Sequence, residues 1–400
     1  MKKKKILITS FDMAIGGVER SLIGLLNTID YSKYDVDLML FKHEGEFLVL
    51  LPTMPNLLKE VKQYTTFRKS IKQILQEGQI AIGVTRALGR ILGDVHGRYV
   101  KSAEAGYYVI QYGWRITLPF IPQLEEEYDV AISFLWPHYF IGNKVRAKRK
   151  IGWIHTDYSN INLNTNMEYK MWSKLDNIVA VSEGCRDSFL SSLPNINKKV
   201  EIIENILSPE FVREQAHQED VTKEIQVNSE RIKLVTVGRL SYAKGIDLAM
   251  HALRKLLDQG YDIEWYVVGY GAQETELRKL LTELNLEKRF VLLGKRTNPY
   301  PYIKACDIYV QPSRYEGKAV TVREAQIIGK PVLITNFPTA KSQVRDGIDG
   351  MITEMGINGI VSGVKKLIED REYREKLVEN TSNGEYGNSK EIKKLYALFS

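Results

Sequence analysis

Short apolar runs alternate with stretches of helical period along this chain, and they do so in two series. Strand-like runs fall at residues 6–9, 36–40, 130–134, 150–155, 177–181 and 200–203. After a charged stretch from Ser208 to Arg231 they resume at 233–237, 264–268, 290–293, 307–311 and 332–335. Between them lie helical spacings such as Val18, Leu22, Leu25, Leu26 and Ala249, Leu253, Leu256, Leu257. Strands separated by helices predict parallel sheets covered on both faces. Two such series predict two doubly wound α/β domains, at 1–207 and 208–385, with 386–400 as a helix returning to the first. Ligands bind beyond the carboxyl ends of strands in such sheets, so the expected site is a cleft faced by both domains.

Composition narrows the chemistry. Of 400 residues, two are cysteines, Cys185 and Cys306, and neither a CxxC nor an HExxH motif occurs. A structural zinc site is therefore not expected. The opening MKKKKILITSFD has too short an apolar stretch for a signal sequence and reads as a strand. No apolar run approaches the length of a membrane span. The net charge is +7, and residues 59–101 hold nine basic residues (Lys59, Lys62, Arg68, Lys69, Lys72, Arg86, Arg90, Arg98, Lys101) against three acids. Isoleucines and leucines interleave with them. That mixture predicts a basic amphipathic insert suited to anionic lipid headgroups, or a solvated basic helical surface.

Five strand ends carry candidate site residues. In YEGKAVTVREAQ, Glu316 stands in a loop after a strand, and Glu324 lies inside a helix expected from about 319 to 328, with seven residues between the two acids. The start of that helix, at Val320 and Thr321, offers free N–H groups to a diphosphate. Glu324, one turn further in, can accept two ribose hydroxyls, and Glu316 can reach a group beyond the phosphates. Taken alone, Glu316 also fits a turn residue and Glu324 a surface helix acid. In VGRLSYAKGID, Arg239 and Lys244 stand near another helix start, where cations repel the helix unless an anion lies between them; surface cations near a turn are the plainer reading. Gly16 and Gly17 allow close backbone approach, without the GxGxxG of a dinucleotide site, and also fit an ordinary strand-to-helix turn. His155 ends a strand, as a structural or a functional histidine. Gly269 and Gly271 end another, as a turn or as nucleotide lining.

In this order, at these strand ends, the stretches resemble the retaining glycosyltransferases of family 4, which have the two-domain GT-B fold of Rossmann-like domains. The resemblance covers nearly the whole chain and is strongest from Leu234 to Met351. Its Glu–seven residues–Glu element matches Glu316 and Glu324, and its G-R-x-x-x-x-K-G element matches Gly238, Arg239, Lys244 and Gly245. Its A-D-I-x-x-x-P-S element appears as Ala305-Cys306-Asp307-Ile308 with Pro312-Ser313. The resemblance implies that Arg239 and Lys244 hold the donor diphosphate, Glu324 the ribose and Glu316 the donor sugar, with His155 also at the sugar. It implies no bound metal or other cofactor, and no nucleic-acid partner. Lys318 and Ala319 stand where many members carry an aromatic residue and a glycine, which leaves the donor sugar open; this stretch looks like members of bacterial capsule and exopolysaccharide clusters. Asn205 stands in IIENIL, a departure from the family's common V-I-P-N form. The expected activity is transfer from a nucleotide diphosphate sugar, with UDP as the expected carrier, to a saccharide or lipid-linked acceptor. The expected location is cytoplasmic, peripheral at the inner membrane face.

Two other classes compete. A nucleotide-sugar epimerase shares the architecture but has no use for an acceptor surface such as the basic apolar insert. A non-catalytic nucleic-acid or membrane binding protein would use that insert, but it lacks clustered aromatics for base stacking and leaves Arg239, Lys244 and Glu324 without a role.

Overall fold

Among the described residues, thirteen strands form two parallel sheets. The computed structural model describes residues 3–400, without 101–105, 157, 197, 226–229, 317, 318 and 385 or the side chain of Asn160. Lys101 and Lys318 therefore lie outside the described residues. The chain divides into two compact units, Met1–Ile206 with Ser389–Ser400, and Leu207–Asn388.

In the first unit the strands are β1 (Lys4–Ser10), β2 (Tyr34–Leu40), β3 (Asn56–Leu57), β4 (Glu127–Ser133), β5 (Arg146–Ile154), β6 (Asn177–Ala180) and β7 (Val200–Ile202), in the order β3-β2-β1-β4-β5-β6-β7. The second unit holds β8 (Ile232–Val237), β9 (Ile263–Val268), β10 (Phe290–Gly294), β11 (Ile308–Gln311), β12 (Val332–Thr335) and β13 (Met351–Thr353), in the order β10-β9-β8-β11-β12-β13. All eleven expected runs are strands. The two-residue β3 and three-residue β13 carry too little pattern to read from sequence. Each sheet reverses its winding once, between β1 and β4 and between β8 and β11, and such switch points are where ligands bind in open α/β sheets. Each unit is a doubly wound, parallel α/β domain.

Both faces of the second sheet are buried. Val235, Val237, Tyr266, Val268 and Tyr309 pack into one apolar cluster, and Leu234, Trp265, Val267, Ile308 and Val310 into another. Alternate residues of each strand thus feed opposite layers, which is why the strands read as unbroken apolar runs. Each fully buried large side chain contributes about 1.5–3 kcal/mol. The helix Ile246–Asp258 buries Ala249, Met250, Leu253 and Leu256, so Met250 joins the expected stripe while Leu257 is only partly buried.

The charged stretch after Ser208 is not a bare connection. Ser208 caps a helix, Pro209–Gln215, and Val212, Val221 and Ile225 pack into the second core. The helix Glu391–Ala397 belongs to the first unit. There the Tyr396 hydroxyl accepts the Asp30 N–H at 2.8 Å, and its ring lies 4.6 Å from that of Tyr34.

Within 59–100 the helices are Lys62–Thr65, Thr66–Arg68, Ile71–Gln76 and Ile80–Tyr99, and apolar side chains make up more of the exposed surface than charge counting suggests. In the helix Ile80–Tyr99, the buried residues include Gly89, Gly93 and Gly97. A side chain at Gly89 would meet the backbone of Gly113 at 2.6 Å, and one at Gly93 that of Val109 at 2.4 Å. Glycines at this spacing let the helix Gly106–Thr117 approach closely, as small residues do in GxxxG pairs. The large residues face outward instead: Ile80, Val84, Leu88, Ile91, Val95 and Tyr99 are 46–87% exposed. Several cations are not on this surface. Arg68 pairs with Asp12 at 2.7 Å, Lys69 with Glu77 at 2.7 Å, and Arg86 lies over the Phe67 ring, with burial pushing its pKa down.

Candidate active site

The two loops that follow β8 and β11 meet at the switch point of the second sheet. Gly245 has φ +63°, and a Cβ there would lie 2.1 Å from the Pro312 carbonyl oxygen. The Arg314 N–H donates to the Ala243 carbonyl at 2.7 Å, and its guanidinium grips the Asp247 carboxylate at 2.8 and 2.6 Å while lying over the Tyr242 ring. Burial raises the pKa of Asp247, but these bonds outweigh it and hold the carboxyl below its usual range. Gly269 closes the other side. Its φ is +154°, and a Cβ would lie 1.8 Å from the Gly238 carbonyl oxygen. The turn holding Arg239 and Lys244 is thus clamped between Gly269 and the loop holding Glu316.

Within this frame Lys244 and Glu316 form an ion pair at 2.5 Å. The same Glu316 oxygen accepts from Ser313 Oγ at 2.7 Å and from Gln311 Nε2 at 3.2 Å. A charge-assisted bond in a mostly buried setting fixes both side chains, so Lys244 is not the solvated surface cation of the plainer reading and Glu316 does more than form a turn. Arg239 is exposed, and among the described residues its guanidinium has no partner.

The helix Val320–Ile327 starts after Ala319, whose N–H is taken by Gln343 Oε1 at 2.8 Å. Val320 and Thr321 open the helix, where N–H groups have no intrahelical acceptor. Glu324 is fully buried and accepts a hydrogen bond from the Tyr300 hydroxyl at 3.0 Å. The reading as a surface helix acid is therefore wrong. Tyr300 is itself placed by Asn298, which receives its N–H at 3.1 Å. Ser313, Gln311, Tyr300 and Gln343 are partners that spacing alone did not reveal.

In the first unit, Gly16 and Gly17 start the helix Gly17–Thr28 beyond β1. A Cβ at Gly17 would meet nothing, whereas at Gly16 it would lie 2.2 Å from Glu19 Oε2. Burial raises the Glu19 pKa to about 7, with the Asp12 carboxylate adding to the shift. An acid thus occupies the space beside Gly16, which disfavours an anion there and leaves Gly17 as the open position. His155 follows β5; Phe134 and Trp153 lie 4.7 and 6.1 Å from its ring, and its Nε2 is buried. Sequence reasoning missed Glu168, which is fully buried and accepts from Gln111 (2.7 Å), Tyr158 (3.1 Å), Trp172 (3.1 Å) and Trp136 (3.3 Å). Burial raises its pKa to about 7 against those four donors. Among the described residues no group of three or more His, Cys, Asp or Glu is placed to hold a metal ion.

Residues 217–384 match the family model for glycosyl transferases group 1. An uncharacterized glycosyltransferase of Methanocaldococcus jannaschii is 23% identical over 279 residues, 65% of this chain and 71% of the relative. The N-acetylgalactosamine-N,N'-diacetylbacillosaminyl-diphospho-undecaprenol 4-alpha-N-acetylgalactosaminyltransferase of Campylobacter jejuni is 27% identical over 206 residues, 51% of this chain and 54% of that enzyme. In three dimensions the chain is similar to Anabaena HepE, solved with UDP and glucose, with a TM-score of 0.67, 17% identity and 98% of each chain covered. The second unit thus matches the group 1 glycosyl transferases over residues 217–384, the relatives that the chain is similar to are glycosyltransferases, and its fold is similar to that of the Anabaena structure.

Proposed function

We propose that this chain is a retaining glycosyltransferase of family 4 that moves a sugar from UDP to a saccharide or lipid-linked acceptor in the synthesis of a bacterial cell-surface polysaccharide. The observation that carries this is the Lys244–Glu316 pair beside Arg239, which has no partner among the described residues, at the switch point of the second sheet. Two cations and the start of the helix Val320–Ile327 supply the positive charge that a leaving diphosphate needs. When phosphate oxygens draw Lys244 away, Glu316 is released toward the sugar. Glu324 takes the ribose. A ribose hydroxyl can replace the Tyr300 hydroxyl as its donor, so the buried carboxylate stays satisfied. Gly17 and Gly269 allow backbone to approach the donor, and His155 meets the sugar. No metal is assigned, because Arg239 and Lys244 neutralise the charge that a cation otherwise would. The named acceptor of the Campylobacter relative, a diphospho-undecaprenol saccharide, supports a lipid-linked acceptor, and the UDP complex of the Anabaena neighbour supports the donor. Proton NMR of a reaction run in EDTA tests both mechanistic points. The product anomer matches that of the donor and forms at full rate; an inverted product, or activity restored only by Mn²⁺, overturns the proposal.

A lipid-linked acceptor places the enzyme at the inner membrane surface. Among the described residues no helix is long and apolar enough to cross a membrane. The outward stripe of the helix Ile80–Tyr99, flanked by the exposed cations Lys72, Arg90 and Arg98, suits insertion among anionic headgroups. Each engaged cation adds about 1 kcal/mol. Flotation with anionic liposomes is expected to recover the protein. Changing Val84, Ile91 and Val95 to Asp abolishes recovery at all salt concentrations, whereas Lys72, Arg90 and Arg98 changed to Glu abolish it in a salt-dependent way. Equal recovery of all three proteins rejects the docking face.

A further inference from the structure

Glu168, on the helix Thr165–Trp172, is 0% exposed among four donors, and one of those donors, Trp136, is only half-buried. An apolar side chain of similar volume would pack in that place without the cost of burying a carboxylate, so the use of Glu168 lies in what it fixes. Gln111 is held twice: its Nε2 donates to Glu168 at 2.7 Å, and its Oε1 accepts the Asn164 N–H at 2.8 Å. Trp136 gives its Nε1–H to the same carboxylate at 3.3 Å. That nitrogen is the only polar atom of an indole. The part of the Trp136 ring left toward solvent is therefore apolar, and the ring is held from behind.

Trp136 lies just beyond β4, a strand that borders the switch point of the first sheet. It lines a shallow hollow with Tyr107, His155 and Thr156 on the partly exposed side, over a buried floor that includes Trp153 and Tyr158. The hollow holds only about 30 Å³, too little for a sugar ring, so a saccharide lies across its rim and not inside it. The Tyr107 ring meets that of Trp136 at 61°, with 5.8 Å between centroids. A pyranose carries a face of C–H groups, which packs on the electron-rich faces of such rings, and hydroxyls at its edge, one of which the exposed Thr156 can meet. Among the described residues no lysine or arginine lines the hollow, so it does not suit a phosphate.

The position of Tyr107 separates one sugar from another. It stands at the start of the helix Gly106–Thr117, which packs closely on the glycines of the helix Ile80–Tyr99. The next residue, Tyr108, stacks on His96 of that helix at 4.6 Å, and His96 adjoins the exposed Val95. One wall of the hollow thus belongs to the helix pair whose outward face is apolar. A sugar carried on a lipid comes to that wall; a sugar carried on a nucleotide has no contact to make with it.

We propose that Trp136 and Tyr107 form an aromatic platform for the sugar of the acceptor, and that Glu168 is the positioning residue that sets the Trp136 ring. This rests on the reading of the chain as a glycosyltransferase with a saccharide acceptor.

The test is NMR of the full chain labelled with ¹⁵N-tryptophan, which gives five indole signals; the one lost in Trp136→Phe belongs to Trp136. Methyl hexosides and methyl N-acetylhexosaminides are the probes. At least one is expected to move the Trp136 signal saturably, while UDP leaves it in place and UDP-glucose does not displace the glycoside. Saturation transfer to that glycoside shows binding weakened about tenfold in Trp136→Ala, the scale of one lost aromatic contact, and less in Trp136→Phe. Glu168→Gln keeps the side-chain volume and so guards against misfolding. It shifts the Trp136 signal without any sugar present and weakens the glycoside severalfold. A Trp136 signal that no glycoside moves, or a glycoside displaced by UDP-glucose, overturns the platform; an unshifted signal with unchanged affinity in Glu168→Gln overturns the positioning role. The glycoside titration needs no donor, so its failure is distinct from a failure of the parent protein to bind UDP, which would count against the reaction itself.

Discussion

Glu316→Ala is expected to lower kcat about 100-fold, in the range seen when one preorganised group is removed from a transition state, without weakening the binding of UDP. The reason is the ion pair. In the free enzyme Glu316 competes with phosphate for Lys244; removing it liberates the cation, so UDP affinity stays level or rises. Lys244→Ala behaves in the opposite way. It loses a charge-assisted contact of about 1.5–3 kcal/mol to the diphosphate and also leaves Glu316 with Ser313 and Gln311 as its side-chain donors among the described residues. Steady-state kinetics with UDP titrations on both variants separate the two effects. Loss of UDP affinity in Glu316→Ala would mean that this carboxylate serves nucleotide binding and not the sugar.

The largest effect on stability is expected at Gly269. An added methyl would sit 1.8 Å from the Gly238 carbonyl at a φ of +154°, and neither backbone can give way without breaking the Gly238 N–H bond to Val268 and the Gly269 N–H bond to Gly294. Overpacking costs about 1–3 kcal/mol and the strained backbone about 1–3 kcal/mol more. Thermal unfolding of Gly269→Ala should show a lowered transition, whereas Gly17→Ala, with nothing within 4 Å of its Cβ, should unfold like the parent. A Gly269→Ala protein that melts normally would show that the loops are not clamped as described.

The strands were legible because parallel sheets buried on both faces need unbroken apolar runs, and the sequence supplies them between helical periods. The site elements were legible where a turn must do something unusual, as at Gly245 and Gly269. What spacing could not show was partnership. Nothing in sequence says that Lys244 meets Glu316, that Tyr300 reaches Glu324, or that Gln111, Tyr158, Trp136 and Trp172 converge on Glu168, since each pairing joins separate elements. The exposed surface of the segment 59–100 was legible only in part, for a related reason. Charge counting weighs every cation alike, but Arg68 and Arg86 are turned into protein contacts. The outward face is set by where the glycines lie, at Gly89 and Gly93, and it is apolar.

Calorimetric titration of UDP into the intact chain and into Arg239→Ala tests the central claim most directly. Arg239 is exposed and has no partner among the described residues, so its removal leaves the fold unchanged and takes away only a phosphate contact. UDP should bind the parent and bind the variant about 10- to 150-fold more weakly, the equivalent of about 1.5–3 kcal/mol. No binding of UDP to the parent, or equal affinity in both proteins, would contradict the assignment of a nucleotide diphosphate sugar site to this turn.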